Sequence, residues 1–246
     1  MDIERWNEIK DLPILNGAHK ANKERQMCVL EMVAFVADER WSDNPKCVSP
    51  VIGSFMRSWN DCLNDEDRQR LKPYIEKVIG TNTGAEDDER RAWMATDWLC
   101  RVCAPAFLEL TESLKTHAAS LRSLEEIRDS GSAKASQGDL AAAWAAAGAA
   151  ARDAAWAAAR DAAWAAAGDA AWAAAGDAAW AAAWAAAGDA AGAAARAAAW
   201  AAAWAAARAA ARDAAGDALR PTVVRLQGSA FGLLDRMIAV GRETNS

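Results

Sequence analysis

From Trp144 to Gly216 every fourth position is Trp, Arg or Gly, the next is Ala or Asp, and nearly all the rest is Ala. Ala is the strongest helix former, so the tract is expected to be helical on propensity alone. A period of four does not match the helical turn. Each unit advances about 400°, so the Trp/Arg/Gly row drifts by roughly 40° per unit and circles a straight helix in about nine. One straight rod therefore cannot bury all eight repeat tryptophans on one side. Either the helix supercoils right-handedly, or it breaks into shorter rods. Gly-Asp pairs favour breaks, because Gly suits the left-handed position after a helix and Asp caps the next. Gly168-Asp169, Gly176-Asp177, Gly188-Asp189 and Gly216-Asp217 are the candidates. Breaks near Gly168 and Gly188 to Gly192 give rods of ordinary length.

The first half has ordinary complexity, and its apolar spacing is helical. Cys28, Val29, Leu30, Met32, Val33, Phe35 and Val36 make a broad stripe within 21–39. A Pro-bearing loop, 41–50, ends in Ser49 as N-cap and Pro50 as first-turn residue of a helix to about Leu63. Asn64 or Asp65 opens the next segment, which Pro73 kinks or restarts and Thr81 to Gly84 close. Glu86 to Glu89 begin a long helix through Trp93 and Trp98, bent near Pro105, and another helix runs to about Ile127. Residues 129–138 are rich in Ser and Gly and are expected to be a linker. Pro221 starts a final amphipathic helix carrying Val223, Val224, Leu226, Phe231, Leu233, Leu234, Met237, Ile238 and Val240. A repeat stack needs such a cap for its last apolar face. Strand alternation is nearly absent, so the expected fold is all-α: a helical domain over 1–128, the linker, an Ala/Trp tetrapeptide-repeat bundle over 139–220 and a capping helix over 221–246.

No packing rule interchanges Trp, Arg and Gly. The codons TGG, CGG and GGG do, by a change of one base, and Ala and Asp are related in the same way. The tract therefore has the character of an expanded and drifted GC-rich DNA repeat, which makes any single repeat Trp or Arg a poor catalytic candidate.

Charge narrows the function classes. The net charge of −6 is spread mildly, with 24 acids and 19 bases over 1–137 and 10 and 9 over 138–246. Neither half is the basic surface of a general nucleic-acid binder. Met-Asp-Ile-Glu-Arg-Trp lacks the basic and apolar regions of a secretion signal. Asp or Arg interrupts the Ala tract at intervals well short of the ~20 residues a membrane span needs. The five cysteines suit a reducing cytosol, so the expected location is cytoplasmic.

Candidate chemistry is sparse. Cys100-Arg-Val-Cys103 is a C-x-x-C within a helix rather than at a strand-to-helix turn, and Cys47, Cys62, His19 and His117 have no zinc spacing. Buried thiols without metal are expected, and no cofactor is expected. No phosphate loop, dinucleotide fingerprint or metalloprotease motif occurs. The densest stretch runs from Arg90 to Arg101. It places Arg90, Asp97 and Arg101 on a similar side, with Trp93 flanking and Trp98 beside. Asp97 and Arg101 are i,i+4 and can pair. Arg beside Trp suits an anion or a base. Arg57, Trp59 and Asp61 repeat the flavour, again with i,i+4 charges. The competing explanation is salt-bridged helices around core tryptophans. Repeat tryptophans could stack bases, but the acidic balance favours knobs packed into Ala-lined grooves. Ice binding by a flat Ala face is opposed by the drift and the charges.

The Ala/Trp/Arg/Asp tract resembles helical repeats in immunity proteins of bacterial polymorphic toxin systems. Val29 to Val33, Trp41 to Pro45, Ser58 to Asp61, Arg68 to Pro73, Arg91 to Trp98 and Leu233 to Ile238 are similar to uncharacterised proteins of actinobacteria and their phages. The resemblance implies a cytosolic, non-enzymatic helical protein that neutralises a partner by binding it. The rivals are a sponge for a small nucleotide signal, using Arg and Trp near 90–101, and an enzyme whose carboxylates converge only in the fold. The partner is then a protein or a small anionic ligand.

Overall fold

The computed structural model describes residues 2–21, 26–158 and 219–242. They are helical, with no strand among them: α1 Ile3–Ile9, α2 Val29–Val36, α3 Pro50–Cys62, α4 Asp65–Arg68, α5 Tyr74–Lys77, α6 Ala85–Trp98, α7 Ala104–Leu108, α8 Lys115–Ser123, α9 Ser130–Ala158 and α10 over 219–239. The all-α expectation holds. Two compact units form, one of Met1–Arg91 with Leu234–Ser246 and one of Ala92–Leu233. The first boundary thus falls inside the long helix α6 rather than at 128, and the second inside α10.

In the first unit α2 is the centre. Val29, Leu30, Met32, Val33, Ala34 and Val36 are all buried, so this helix has no solvent face to speak of. It is shorter than the 21–39 stripe suggested. Glu31 reaches back to the Cys28 N–H at 2.8 Å and sets its start. Asp38, in the left-handed region at φ 57, ends it. α3 starts as its sequence indicates, with Ser49 capping and Pro50 following. Asn64 caps α4 through the Asp67 N–H at 2.8 Å, and the chain restarts after Pro73.

Arginines close several helix ends in this unit. The last carbonyls of a helix have no partner within it. Arg68, 3% exposed, donates to Asn60 O at 2.8 Å and Leu63 O at 2.5 Å, the end of α3. Arg91, fully buried, donates to Met237 O at 3.0 Å and Val240 O at 2.8 Å, the end of α10. Asp88 balances its charge at 3.0 Å and also accepts from Ser49 Oγ. Gly241 follows at φ 79, and a β-carbon there would meet the side chains of Asp87 and Thr83.

The second unit is built on the end of α6, α7, α8, α9 and the first part of α10. Leu99–Cys103 is a π-helical turn in which Ala104 donates to Leu99 O. Pro105 explains it: proline has no N–H for the Arg101 carbonyl, and its ring would collide with that carbonyl in an unbroken α-helix. The core gathers Cys100, Leu108, Leu114, Ala118, Leu121, Ile127, Ala133, Leu140 and Ala143, with Trp93, Leu124, Ala147 and Ala150 packed against it.

The expected linker is not one. Residues 130–138 are the first turns of α9. Asp129 Oδ1 accepts from Ser132 N at 2.7 Å, and Ser132 Oγ accepts in return from Asp129 N at 3.1 Å. Ser and Asp serve here as caps rather than as flexible spacers. These bonds also hold the Asp129 carboxyl below its ordinary value.

α9 carries the first repeats, and its seam is only partly made by the four-residue row, whose Gly148 is buried and whose Trp144 is not. Ala133, Ser136, Leu140 and Ala143 are buried, and Ala147 and Ala150 continue the same spacing of three and four. Trp144 is 37% exposed. At this position the expectation of a tryptophan knob in an alanine groove is reversed: alanines pack and the tryptophan faces outward. Gly148 does not break the helix. The expected breaks at Gly168 and at Gly188 to Gly192, and most of the repeat bundle, lie outside the described residues, as does any capping of it by α10.

Replacing Arg91 by alanine is expected to strip two carbonyls and one carboxylate of their partner and to cost about 3–5 kcal/mol of unfolding free energy. Urea denaturation followed by circular dichroism measures it, and a loss below about 1 kcal/mol would show the cap to be dispensable.

Candidate functional site

Asp97 and Arg101 meet as their spacing indicates, through two parallel bonds: Arg101 Nε to Asp97 Oδ1 at 2.5 Å and Nη2 to Oδ2 at 2.8 Å. The remaining partners show what the pair does. Arg101 Nη1 donates to Leu124 O at 3.2 Å, at the end of α8, and Asp97 Oδ1 accepts from Ile127 N at 2.8 Å. The pair therefore pins the segment between α8 and α9 to α6 and the π-turn. The Asp97 hydrogen bonds hold the Arg101 guanidinium above its ordinary value.

The flanking tryptophans belong to packing. Trp93 lies against the second unit's core. Trp98 is 7% exposed, and its Nε1 donates to Ser229 Oγ at 2.9 Å. Arg90 is exposed and sits 3.4 Å from Asp87, one turn back.

Arg57 and Asp61 do not form the expected pair. Arg57 Nη1 donates to Asp43 O at 2.8 Å and Asn44 Oδ1 at 3.2 Å, holding the Pro-bearing loop. Asp61 Oδ1 accepts from Gly17 N at 2.7 Å and Asn60 Nδ2 at 3.0 Å, holding the segment after α1. Loop backbone, unlike a side chain four residues away, offers each group a partner that also orders a segment. Trp59 is 5% exposed, with Phe55 5.5 Å from it ring to ring.

Cys28, Cys62, Cys100 and Cys103 are buried free thiols and Cys47 is partly buried. Burial pushes Cys100 up to about 12 and Cys103 well above its usual value. Burial likewise takes Cys28 and Cys47 to about 12, with Glu31 and Glu39 adding negative charge beside them. Among the described residues no group of three or more His, Cys, Asp and Glu is arranged to hold a metal. No helix among them is long and apolar enough to cross a membrane.

Two polar groupings were not legible beforehand. Glu31, 1% exposed, accepts from His19 N at 2.5 Å and lies 3.0 Å from His19 Nδ1, tying the segment before α2 to that helix. Glu109 contacts Arg122 and lies 3.6 Å from Arg225. Both join residues far apart in sequence, which spacing rules cannot see. Arg68 and Arg91 had a local signal, an aspartate three residues upstream.

No protein-family model matches the chain, and neither a curated protein nor a solved structure matches it.

Two outcomes test this account. Arg101→Lys keeps the charge but loses the two-pronged geometry. It is expected to cost about 1.5–3 kcal/mol, the range for hydrogen bonds to charged groups, in thermal or urea unfolding; an unchanged midpoint would show the clamp to be idle. The thiols give a pH dependence. Their folded values lie above the unfolded value near 9.0, so the folded state holds protons that the unfolded state releases. Their stabilising effect is full below about pH 9 and is lost as pH rises towards 12. Unfolding midpoints are expected to fall over that window, and less steeply in Cys100→Ala. At pH 8 the buried thiols should resist a disulfide reagent until denaturant is added.

Proposed function

We propose that the chain is a non-catalytic helical binding protein that neutralises a partner protein by association, of the toxin-immunity or phage counter-defence kind. The observation that carries the choice of a protein partner over a nucleotide is the state of Arg101. Three of its guanidinium nitrogens are engaged, two by Asp97 and one by Leu124 O. An arginine offered to a phosphate needs its planar fork open. Asp97 and Trp98 likewise have partners within the fold. Apolar side chains, by contrast, stand in solvent on the second unit: Leu110 at 46%, Val224 at 57% and Trp144 at 37% exposure. That combination favours a protein interface on the second unit. Cytoplasmic residence and the absence of catalysis belong to this proposal.

The test is genetic and then biochemical. Products of genes adjacent to this one are expressed with and without the chain. The expected result is that one of them arrests growth alone, is tolerated when the chain is present, and co-elutes with it from a sizing column. The nucleotide reading prevails instead if the purified protein releases a stoichiometric nucleotide on denaturation and Arg101→Ala loses it.

A further inference from the structure

We propose that Arg122 and Arg225, gathered on Glu109 and bordered by Leu110 and Val224, form a docking surface for an acidic segment of a partner protein that also carries apolar side chains. This deepens the proposed binding role and rests on it.

Arg225 differs from the arginines that hold the fold together. Arg68, Arg91 and Arg101 are buried or partly buried, and each donates to the carbonyls ending another helix. Arg225 does neither. Its side chain is 57% exposed, and Nη2 approaches Glu109 Oε2 only to 3.6 Å, outside hydrogen-bond distance. The carboxylate it approaches is already in contact with Arg122 through Oε1. Two cations thus share one anion. The crowding registers on Arg122, whose guanidinium is held below its ordinary value by burial and then by the like charge of Arg225. A second carboxylate placed beside Arg225 would turn this plus-minus-plus row into a neutral, alternating square and fill the open donor fork. An exposed ion pair adds at most about 1 kcal/mol to folding, so folding alone supplies little reason to hold a second arginine here.

The apolar border identifies the occupant as more than a free anion. Leu110 directly follows Glu109 and is 46% exposed. Val224 directly precedes Arg225 and is 57% exposed. Arg220, one turn earlier on α10, is exposed and shares the face of Val224 through i,i+4 spacing. Arg220 and Val224 thus share one face of α10, and Arg225 stands about 100° round the helix from Val224, so a partner segment meets cationic and apolar groups on adjoining faces. Steering by the charges and exclusion of water by the apolar contacts then act together.

The probe is a fluorescein-labelled helical peptide with Glu and Leu on one face, compared with the same peptide carrying Gln for Glu, titrated by anisotropy with the full chain. Wild type is expected to bind the Glu peptide at least tenfold more tightly than the Gln peptide. Arg225→Glu and Val224→Asp should each weaken it at least tenfold, while Arg236→Glu, elsewhere on α10, changes it less than twofold. Circular dichroism checks folding, and Arg225→Gln replaces any variant that unfolds. Equal binding of the two peptides, or no effect of Arg225→Glu, overturns the proposal. So does full competition by millimolar phosphate with Val224→Asp silent, which marks a small-anion site, and so does self-association of the chain that Arg225→Glu abolishes. Neutralisation of a gene neighbour's product that survives Arg225→Glu overturns this surface alone. Peptide binding as expected without any neutralised product overturns only the proposed function.

Discussion

A helix ends in carbonyls that its own backbone cannot satisfy, and here arginines supply the donors. Arg5 reaches Phe35 O at the end of α2, Arg68 the end of α3, Arg242 the carbonyl of Lys77 at the end of α5 and that of Ile79 just beyond it, Arg101 the end of α8 and Arg91 the end of α10. A guanidinium carries five donors in a rigid fork and stays charged, which suits it to the negative end of a helix dipole. Four of these arginines have an aspartate three or four residues upstream: Asp2, Asp65, Asp88 and Asp97. The acid orients the fork and offsets part of the cost of removing it from water. Short helices such as α4 and α5 have little stability of their own, so joining their ends to neighbours is what lets this chain fold from pieces.

The same constraint explains why a charged stretch can look like a ligand site. Asp97 and Arg101 were correctly legible as a pair from their spacing. Nothing in the spacing showed that Leu124 O and the Ile127 N–H would complete the pair, because those groups come from a segment 23 and 30 residues away. Arg57 and Asp61 have identical spacing and opposite behaviour, since each found loop backbone within reach. Pairing at i,i+4 is a weak preference that any better-placed carbonyl or N–H overrides.

Other elements were legible where the chemistry was local. Ser49-Pro50 marked a helix start to the residue, Asn64 or Asp65 marked the next to within one, and Pro73 marked a kink or restart, because capping and the missing proline N–H act within a turn. Residues 129–138 failed because Ser and Asp read equally as spacer and as cap. The decision lay in the mutual bonds of Asp129 and Ser132. The π-turn was half legible: Pro105 announced a disturbance, but not that the backbone would widen over Leu99–Cys103.

The first turns of the repeat place two rhythms on one rod. Along α9 the residues that touch the rest of the unit, Ala133, Ser136, Leu140 and Ala143, recur every three or four positions, whereas Trp144 belongs to the row that recurs every four and stands outside. A single-base codon change at that outer position exchanges an aromatic plate for a cation or a bare backbone. The seam at Ala143, Ala147 and Ala150 lies off that row, although the row's next member, Gly148, is buried within it. At Trp144 what the helix shows and how it is held are set by different residues, and a base change there alters the display alone; at Gly148, one step along the same row, display and support fall on one residue.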